Sequence, residues 1–285
     1  GFRTGFSSEE LPEREVGILP IPEVEGVLGR IRPSEFKPEQ ETNQAHVLLV
    51  DNLDSFTNNI AESLHRLGAK VTIVEGRPAQ DTNPEATVDD WLTTYRPTHI
   101  ILGPGPSRPE ASPRSMELAR RALAERLNRV NPSEGDNSDS PIPLLGWCLG
   151  HQALGRAAGW NLIESPLGAV HGVPSRIHHD GSALYQNTPE EAVLMRYNSL
   201  VLEQPDSAKI ENKSQLKVNA WDASGSLVMG ITHPSLPIDG VQFHPESVGS
   251  PDGQGLLRSF LSTQATPRTS GGATSKHEQA EQPQR

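Results

Sequence analysis

The sequence predicts an α/β fold: a mostly parallel central sheet with helices on both faces and an additional antiparallel β section. Three observations carry this. From His46 onward, short apolar runs alternate with stretches of helical periodicity, the pattern of parallel strands joined by crossover helices. The first run is continuously apolar rather than alternating, as in strands covered on both sides. After about Leu162 the pattern changes to shorter β-like runs that extend the sheet with antiparallel strands.

The elements follow in order. His46-Val47-Leu48-Leu49-Val50 is a buried strand closed by Asp51-Asn52. Asp54 or Ser55 can cap a helix in which Phe56, Ile60, Leu64 and Leu67 share one face, and Gly68 ends it. Val71-Thr72-Ile73-Val74 is the second strand. Trp91-Leu92 with Tyr95 marks a short helix before Pro97, and His99-Ile100-Ile101-Leu102 is the third strand. Leu118, Ala119, Ala122, Leu123 and Leu127 mark a further helix. Residues 131–140 are Asn, Ser, Gly and acid, a surface loop before the strand at Leu144. The later β runs cover 170–177, 192–194, 216–218, 227–229 and 241–244, and residues 255–261 supply a closing helix.

The ends differ from this middle. Residues 1–44 hold nine Glu and five Pro with scattered aliphatics, too few to close a core, and read as a linker or an arm laid on something else. Residues 263–285 are polar without periodicity and read as a disordered tail, which leaves 45–262 as the folded domain. The first residue is Gly, which suits a processed product or a segment of a longer, fused polypeptide. A net charge of -11 without a basic cluster argues against nucleic acid or an anionic membrane surface as partner. No apolar run reaches membrane-spanning length and no signal peptide is visible. The single cysteine excludes an internal disulfide framework and suggests a reducing, cytoplasmic setting. The His residues show no metal-ligand spacing, so no metal site is expected.

The chemistry centres on Pro143-Leu144-Leu145-Gly146-Trp147-Cys148-Leu149-Gly150-His151-Gln152. It reads as a strand, a sharp turn flanked by two glycines, and a helix. Cys148 is thereby displayed at a helix N-terminus, where unpaired N–H groups favour the thiolate, the nucleophilic form. The placement is that of a nucleophile elbow with sulfur in place of oxygen. A lone cysteine is otherwise an ordinary small buried hydrophobe; its neighbours decide the matter. A Cys nucleophile needs a base and a group to orient that base, and His244-Pro245-Glu246 offers both. In extended backbone Glu246 projects to the same side as His244 and can bond one ring nitrogen while the other faces the sulfur. A third part, Gly103-Pro104-Gly105-Pro106-Ser107-Arg108-Pro109, follows the third strand. The N–H groups of Gly105 and of Leu149 could form an oxyanion hole, worth roughly a hundredfold or more in rate per donor. No Lys-Ser/Thr pair follows the loop, so it is not a phosphate loop.

Six motifs in this order resemble those of the class I (triad-type) glutamine amidotransferases, closest to the glutaminase components of anthranilate synthase and aminodeoxychorismate synthase. They are Asp51-Asn52-Leu53-Asp54-Ser55-Phe56-Thr57, the 103–109 loop, 146–152, His171-Gly172, Arg196-Tyr197-Asn198-Ser199-Leu200, and Val241-Gln242-Phe243-His244-Pro245-Glu246-Ser247. The resemblance implies a flavodoxin-like fold and a Cys148–His244–Glu246 triad that hydrolyses L-glutamine through a thioester. It implies that Gly105, Gln152 and the backbone at Ser199 and Leu200 hold the glutamine, and that His171-Gly172 faces a partner. That partner is a chorismate-binding synthase component, in trans or fused, which receives the ammonia and needs magnesium; no cofactor is implied in this chain. Anthranilate is the expected product, with aminodeoxychorismate the alternative. The sequence departs from the family at Leu53, where Tyr is usual, at Trp147, where a small aliphatic is usual, at Asn198 for His, and at Ser107 for Gly. Ser107 stands where a glycine can use positive φ, so a side chain there adds strain. A non-catalytic scaffold would have no use for the triad, and a free-standing hydrolase of γ-glutamyl compounds leaves the 197–200 and His171-Gly172 motifs without purpose.

Overall fold

The computed structural model describes residues 45–79, 83–128, 140–205 and 216–263. The expected arm at 1–44, the loop at 131–139 and the tail beyond Thr263 lie outside the described residues. Among the described residues one sheet of nine strands forms the centre, in the order β2-β1-β3-β4-β11-β10-β9-β6-β7. Its parallel part is β1 (His46–Asp51), β2 (Lys70–Glu75), β3 (His99–Leu102), β4 (Leu144–Trp147) and β11 (Ile238–Val241). The antiparallel part is β6 (Val170–His179), β7 (Glu191–Asn198), β9 (Lys217–Asp222) and β10 (Val228–Thr232). The fold class is as expected.

The alternation of side chains along each parallel strand builds two cores. Leu48, Val50, Ile100, Leu102 and Leu144 pack with helices α2 (Pro84–Tyr95), α3 (Pro113–Leu123) and α4 (Leu149–Ala157). Val47, Leu49, Ile101, Leu145 and Trp147 pack on the other face with α1 (Thr57–Arg66) and α5 (Gly253–Leu261). Gly68 turns the chain at the end of α1 with φ +87°, a conformation glycine adopts without cost.

Several elements differ from the sequence reading, each for a local reason. Neither Asp54 nor Ser55 caps α1. Asp51, at the end of β1, takes the donors first: its Oδ1 accepts the N–H of Leu53 (3.0 Å) and of Asp54 (3.2 Å) and the Thr57 hydroxyl (2.8 Å). The Asp54 carboxylate then accepts the Phe56 N–H (2.8 Å), and the helix starts at Thr57. Helix α2 is longer than expected because Asn83 caps it through the Ala86 N–H (3.1 Å) and Pro84 occupies its first position, an Asn-Pro start signal. Helix α3 stops at Leu123, where Glu125 at φ +57° turns the chain, so Leu127 is buried beyond the helix. The strand expected at 241–244 is shifted to Ile238–Val241, since Asp239 and Gly240 interrupt its apolar run. Strands β5 (Asn161–Glu164) and β8 (Leu200–Glu203) were not legible; four residues each, they pair only with one another.

Two glycines let strand and helix approach at the β4–α4 corner. A Cβ on Gly146 would lie 2.6 Å from the Gly150 carbonyl oxygen, and one on Gly150 would collide with the Leu102 carbonyl. Gly150→Ala should therefore lower stability by about 3 kcal/mol, read as a fall in the denaturant midpoint at unchanged slope.

Candidate active site

Register brings the site together. In the parallel pair β4–β11, Trp147 stands opposite Val241, so Cys148 and Gln242 leave the sheet side by side. The Cys148 N–H donates to the Val241 carbonyl (2.8 Å). Cys148 adopts φ 51° and ψ -99° as the residue before α4, a strained conformation costing about 1–3 kcal/mol that the corner packing enforces. Leu149 opens α4, so its N–H has no acceptor within the helix, as an oxyanion donor requires. Trp147 is fully buried beneath the elbow.

Gln242 leads to His244, whose backbone is fixed across the chain. Its N–H donates to the Met195 carbonyl (2.8 Å), and its carbonyl accepts the Ser250 hydroxyl (2.6 Å). His244 Nδ1 meets Glu246 Oε1 at 2.7 Å, both side chains being buried. The pair meets through a turn rather than extended backbone: the Ser247 N–H closes on the His244 carbonyl (3.2 Å), with Pro245 at the position its fixed φ favours. Tyr197 and Phe56 pack against the imidazole at 4.9 and 5.6 Å between ring centroids. Nδ1 being held by Glu246, Nε2 is the nitrogen left for Cys148. Burial alone would lower the pKa of His244, but the neighbouring charge of Cys148, then the hydrogen bond and charge of Glu246, raise it to about 10. Its ordinary value is 6.5, so these interactions stabilise the fold fully below that pH and are lost as pH rises through about 10. His151, next to the elbow on α4, is the opposite case: burial pushes its pKa down to about 3, so it is neutral and packs as part of the interior.

The 103–109 loop follows β3, whose Leu102 pairs with Gly146 of β4, so loop and elbow leave the same edge of the sheet. Asn52, fully buried, donates from Nδ2 to the Gly103 carbonyl (2.8 Å) and accepts the Ser115 hydroxyl (2.7 Å). A Cβ on Gly105 would lie 2.6 Å from the Asn52 carbonyl oxygen; close approach, not positive φ, requires glycine there. Arg77 donates to the Pro106 carbonyl (3.1 Å). The strain expected at Ser107 is present, at φ +69°. Ser107→Gly should raise stability by about 1 kcal/mol, checked as a higher melting temperature.

The remaining candidates sit on a buried polar string. Gln152 Nε2 donates to the Leu200 carbonyl (3.2 Å) and to Gln242 Oε1 (3.1 Å), and Gln242 Nε2 donates to Cys148 Sγ (3.5 Å). Asn198 Nδ2 also donates to the Leu200 carbonyl (3.2 Å) and its Oδ1 accepts from Arg196 Nε (3.2 Å). The structure thus joins Gln152 and Leu200 to Cys148, whereas the Ser199 carbonyl is taken by the Ser165 N–H (2.8 Å) and Ser199 is exposed. His171-Gly172 forms a bulge in β6 with Gly172 at φ +69° against the Tyr197 ring. Sequence reasoning missed Asn52 and Gln242 as supports of the site. Each stands directly after a strand, Asn52 after β1 and Gln242 after β11, the signal that could have found it. Among the described residues no group of three or more His, Cys, Asp and Glu could hold a metal ion, and no helix is long and apolar enough to cross a membrane.

Comparison with known proteins gives this geometry a context. Residues 48–263 match the family described as glutamine amidotransferase class-I. The anthranilate synthase component 2 of Cyanophora paradoxa is 34% identical over 216 residues, 75% of this chain and 97% of that protein. The aminodeoxychorismate synthase component 2 of Escherichia coli K12 is 34% identical over 215 residues, 75% of this chain and 98% of that protein. The crystal structure of a glutamine amidotransferase from Thermotoga maritima shares the fold, with a TM-score of 0.53 at 14% identity over 77% of this chain and 97% of that one.

Proposed function

The chain belongs to the class-I glutamine amidotransferases, and from that premise we propose that it is the glutaminase component of an anthranilate synthase, with Cys148 its nucleophile. The observation that carries the reading is the buried His244–Glu246 pair, whose 2.7 Å bond orients the imidazole, beside a cysteine displayed at the strand–helix elbow. The Cys148 thiolate attacks the side-chain amide carbon of glutamine. The resulting oxyanion is held by the N–H groups of Gly105 and Leu149. Imidazolium His244 gives its Nε2 proton to the amide nitrogen, the C–N bond breaks and ammonia leaves. Neutral His244 then takes a proton from water, whose oxygen attacks the thioester; the C–S bond breaks, glutamate leaves and its new carboxyl group loses its proton to solvent, and the thiolate–imidazolium pair is restored. Gln152 and the backbone at Leu200, which lie on the polar string that ends at Cys148, hold the glutamine. This chain needs no cofactor for these steps; magnesium is assigned to the chorismate-binding partner, in trans or fused, that consumes the ammonia.

Aminodeoxychorismate is the second product reading, since a relative of that name matches at the same 34% identity as the anthranilate relative. The chain should be purified with each kind of chorismate-binding synthase component and the aminated product identified. The account expects glutamine-dependent anthranilate and a glutaminase that is slow without the partner. Glutamine turnover stimulated by neither synthase would contradict it.

A further inference from the structure

We propose that Gln242 is a positioning residue for the nucleophile: its side-chain amide donates a hydrogen bond to the Cys148 sulfur and holds it in the ionised form ready for attack. Gln242 is fully buried, and its Nε2 lies 3.5 Å from Sγ. The orientation of the amide follows from its neighbours. A backbone carbonyl only accepts, so the Leu200 oxygen fixes Nε2 of Gln152 toward itself (3.2 Å). The second proton of that nitrogen then points to Gln242 Oε1 (3.1 Å), which leaves Nε2 of Gln242 on the sulfur. The backbone cannot swing away either, because the Gln242 N–H donates to the Met229 carbonyl (2.9 Å) and the preceding Val241 is paired with Trp147.

The other titratable groups beside the sulfur are His244, backed by Glu246, and His151 one turn along α4, which burial keeps neutral. His244 helps the thiolate only while it carries a proton, and it gives that proton up during the reaction. Gln242 has no such limit: its amide carries no proton that it must give up, so its N–H on the sulfur does not depend on the charge of His244. A hydrogen bond to a charged group is among the stronger ones.

Cys148 is the only cysteine, so alkylation by iodoacetamide reports this one sulfur in the full chain. In Gln242→Met, close in volume but without a donor, the midpoint of the pH profile of alkylation should rise by about one unit. It should rise further in Gln242→Glu, which keeps the acceptor for Gln152 but turns an acceptor on the sulfur. With a synthase partner bound, glutaminase kcat of Gln242→Met should fall about tenfold at neutral pH and recover as pH is raised. In the wild-type protein the side-chain amide resonance of Gln242 should titrate with the same midpoint as the alkylation, a readout that needs no variant to fold. An unmoved alkylation midpoint in a folded variant, or a Gln242 amide resonance that stays fixed while Cys148 titrates, would overturn the assignment. The kinetic arm rests on the glutaminase reading; the alkylation arm does not. A shifted midpoint in a chain that hydrolyses no glutamine would therefore sink that reading and leave this one standing.

Discussion

Replacing Cys148 by alanine should abolish glutamine-dependent amination by the assembled synthase, a loss of about ten-thousandfold or more, while ammonia-dependent amination is unchanged. The size follows from the sequence and the geometry together. The chain has one thiol, and it stands at the elbow before α4. Ammonia-dependent synthesis shows that the partner is intact, and the melting curve of the variant shows that this chain is folded. The alanine removes only the sulfur and keeps Cβ at a residue with φ 51°, so the variant retains that strain and is tested folded, by its melting curve, before its activity is read. Full glutaminase turnover in Cys148→Ala with the partner bound would refute the assignment.

The second large effect is at His244. His244→Ala removes the group proposed to carry the proton and should lower kcat by about a thousandfold or more. Glu246→Gln keeps a hydrogen-bond acceptor for Nδ1 and should retain at least about ten times the turnover of His244→Ala. The pH profile divides the two roles further. Against the lowering by burial, Cys148 and then Glu246 raise the pKa of His244 to about 10, so the imidazolium persists through neutral pH, and the rate should fall as pH rises through about 10. Without the Glu246 charge that fall should begin at lower pH. Glu246→Gln turning over more slowly than His244→Ala, or with its basic limb shifted upward, would contradict the roles given to them.

How far the site could be read from sequence depended on how local its determinants are. The elbow was legible because strand, glycine, nucleophile, glycine and helix are consecutive, and the packing that demands Gly146 and Gly150 is carried by neighbouring residues. The His244–Glu246 pair was legible as a spacing, although the backbone joining them is a turn that Pro245 favours rather than the extended segment the spacing suggested. What sequence did not reveal depends on register across the sheet. That Gln242 reaches Cys148 follows from Val241 standing opposite Trp147, a pairing between residues 94 apart. Asn52, just after β1, supports the Gly103 carbonyl that follows β3, two strands later. The shift of β11 has a related cause: Asp239 and Gly240 are buried at the centre of the sheet, where tertiary context overrides local preference. Strands β5 and β8 are too short and too polar at their ends to signal themselves, and they exist because each pairs with the other.

The central claim, that Cys148 attacks the side-chain amide carbon of glutamine, is tested most directly by labelling. A glutamine analogue carrying an electrophilic diazoketone in place of the amide should be incubated with the partner-bound protein, and the site of attachment mapped by peptide mass spectrometry as glutaminase activity disappears. The account predicts one label, on Cys148, rising in step with the loss of activity and prevented by excess glutamine. Complete inactivation with Cys148 unlabelled, or with the label on another residue, would contradict it.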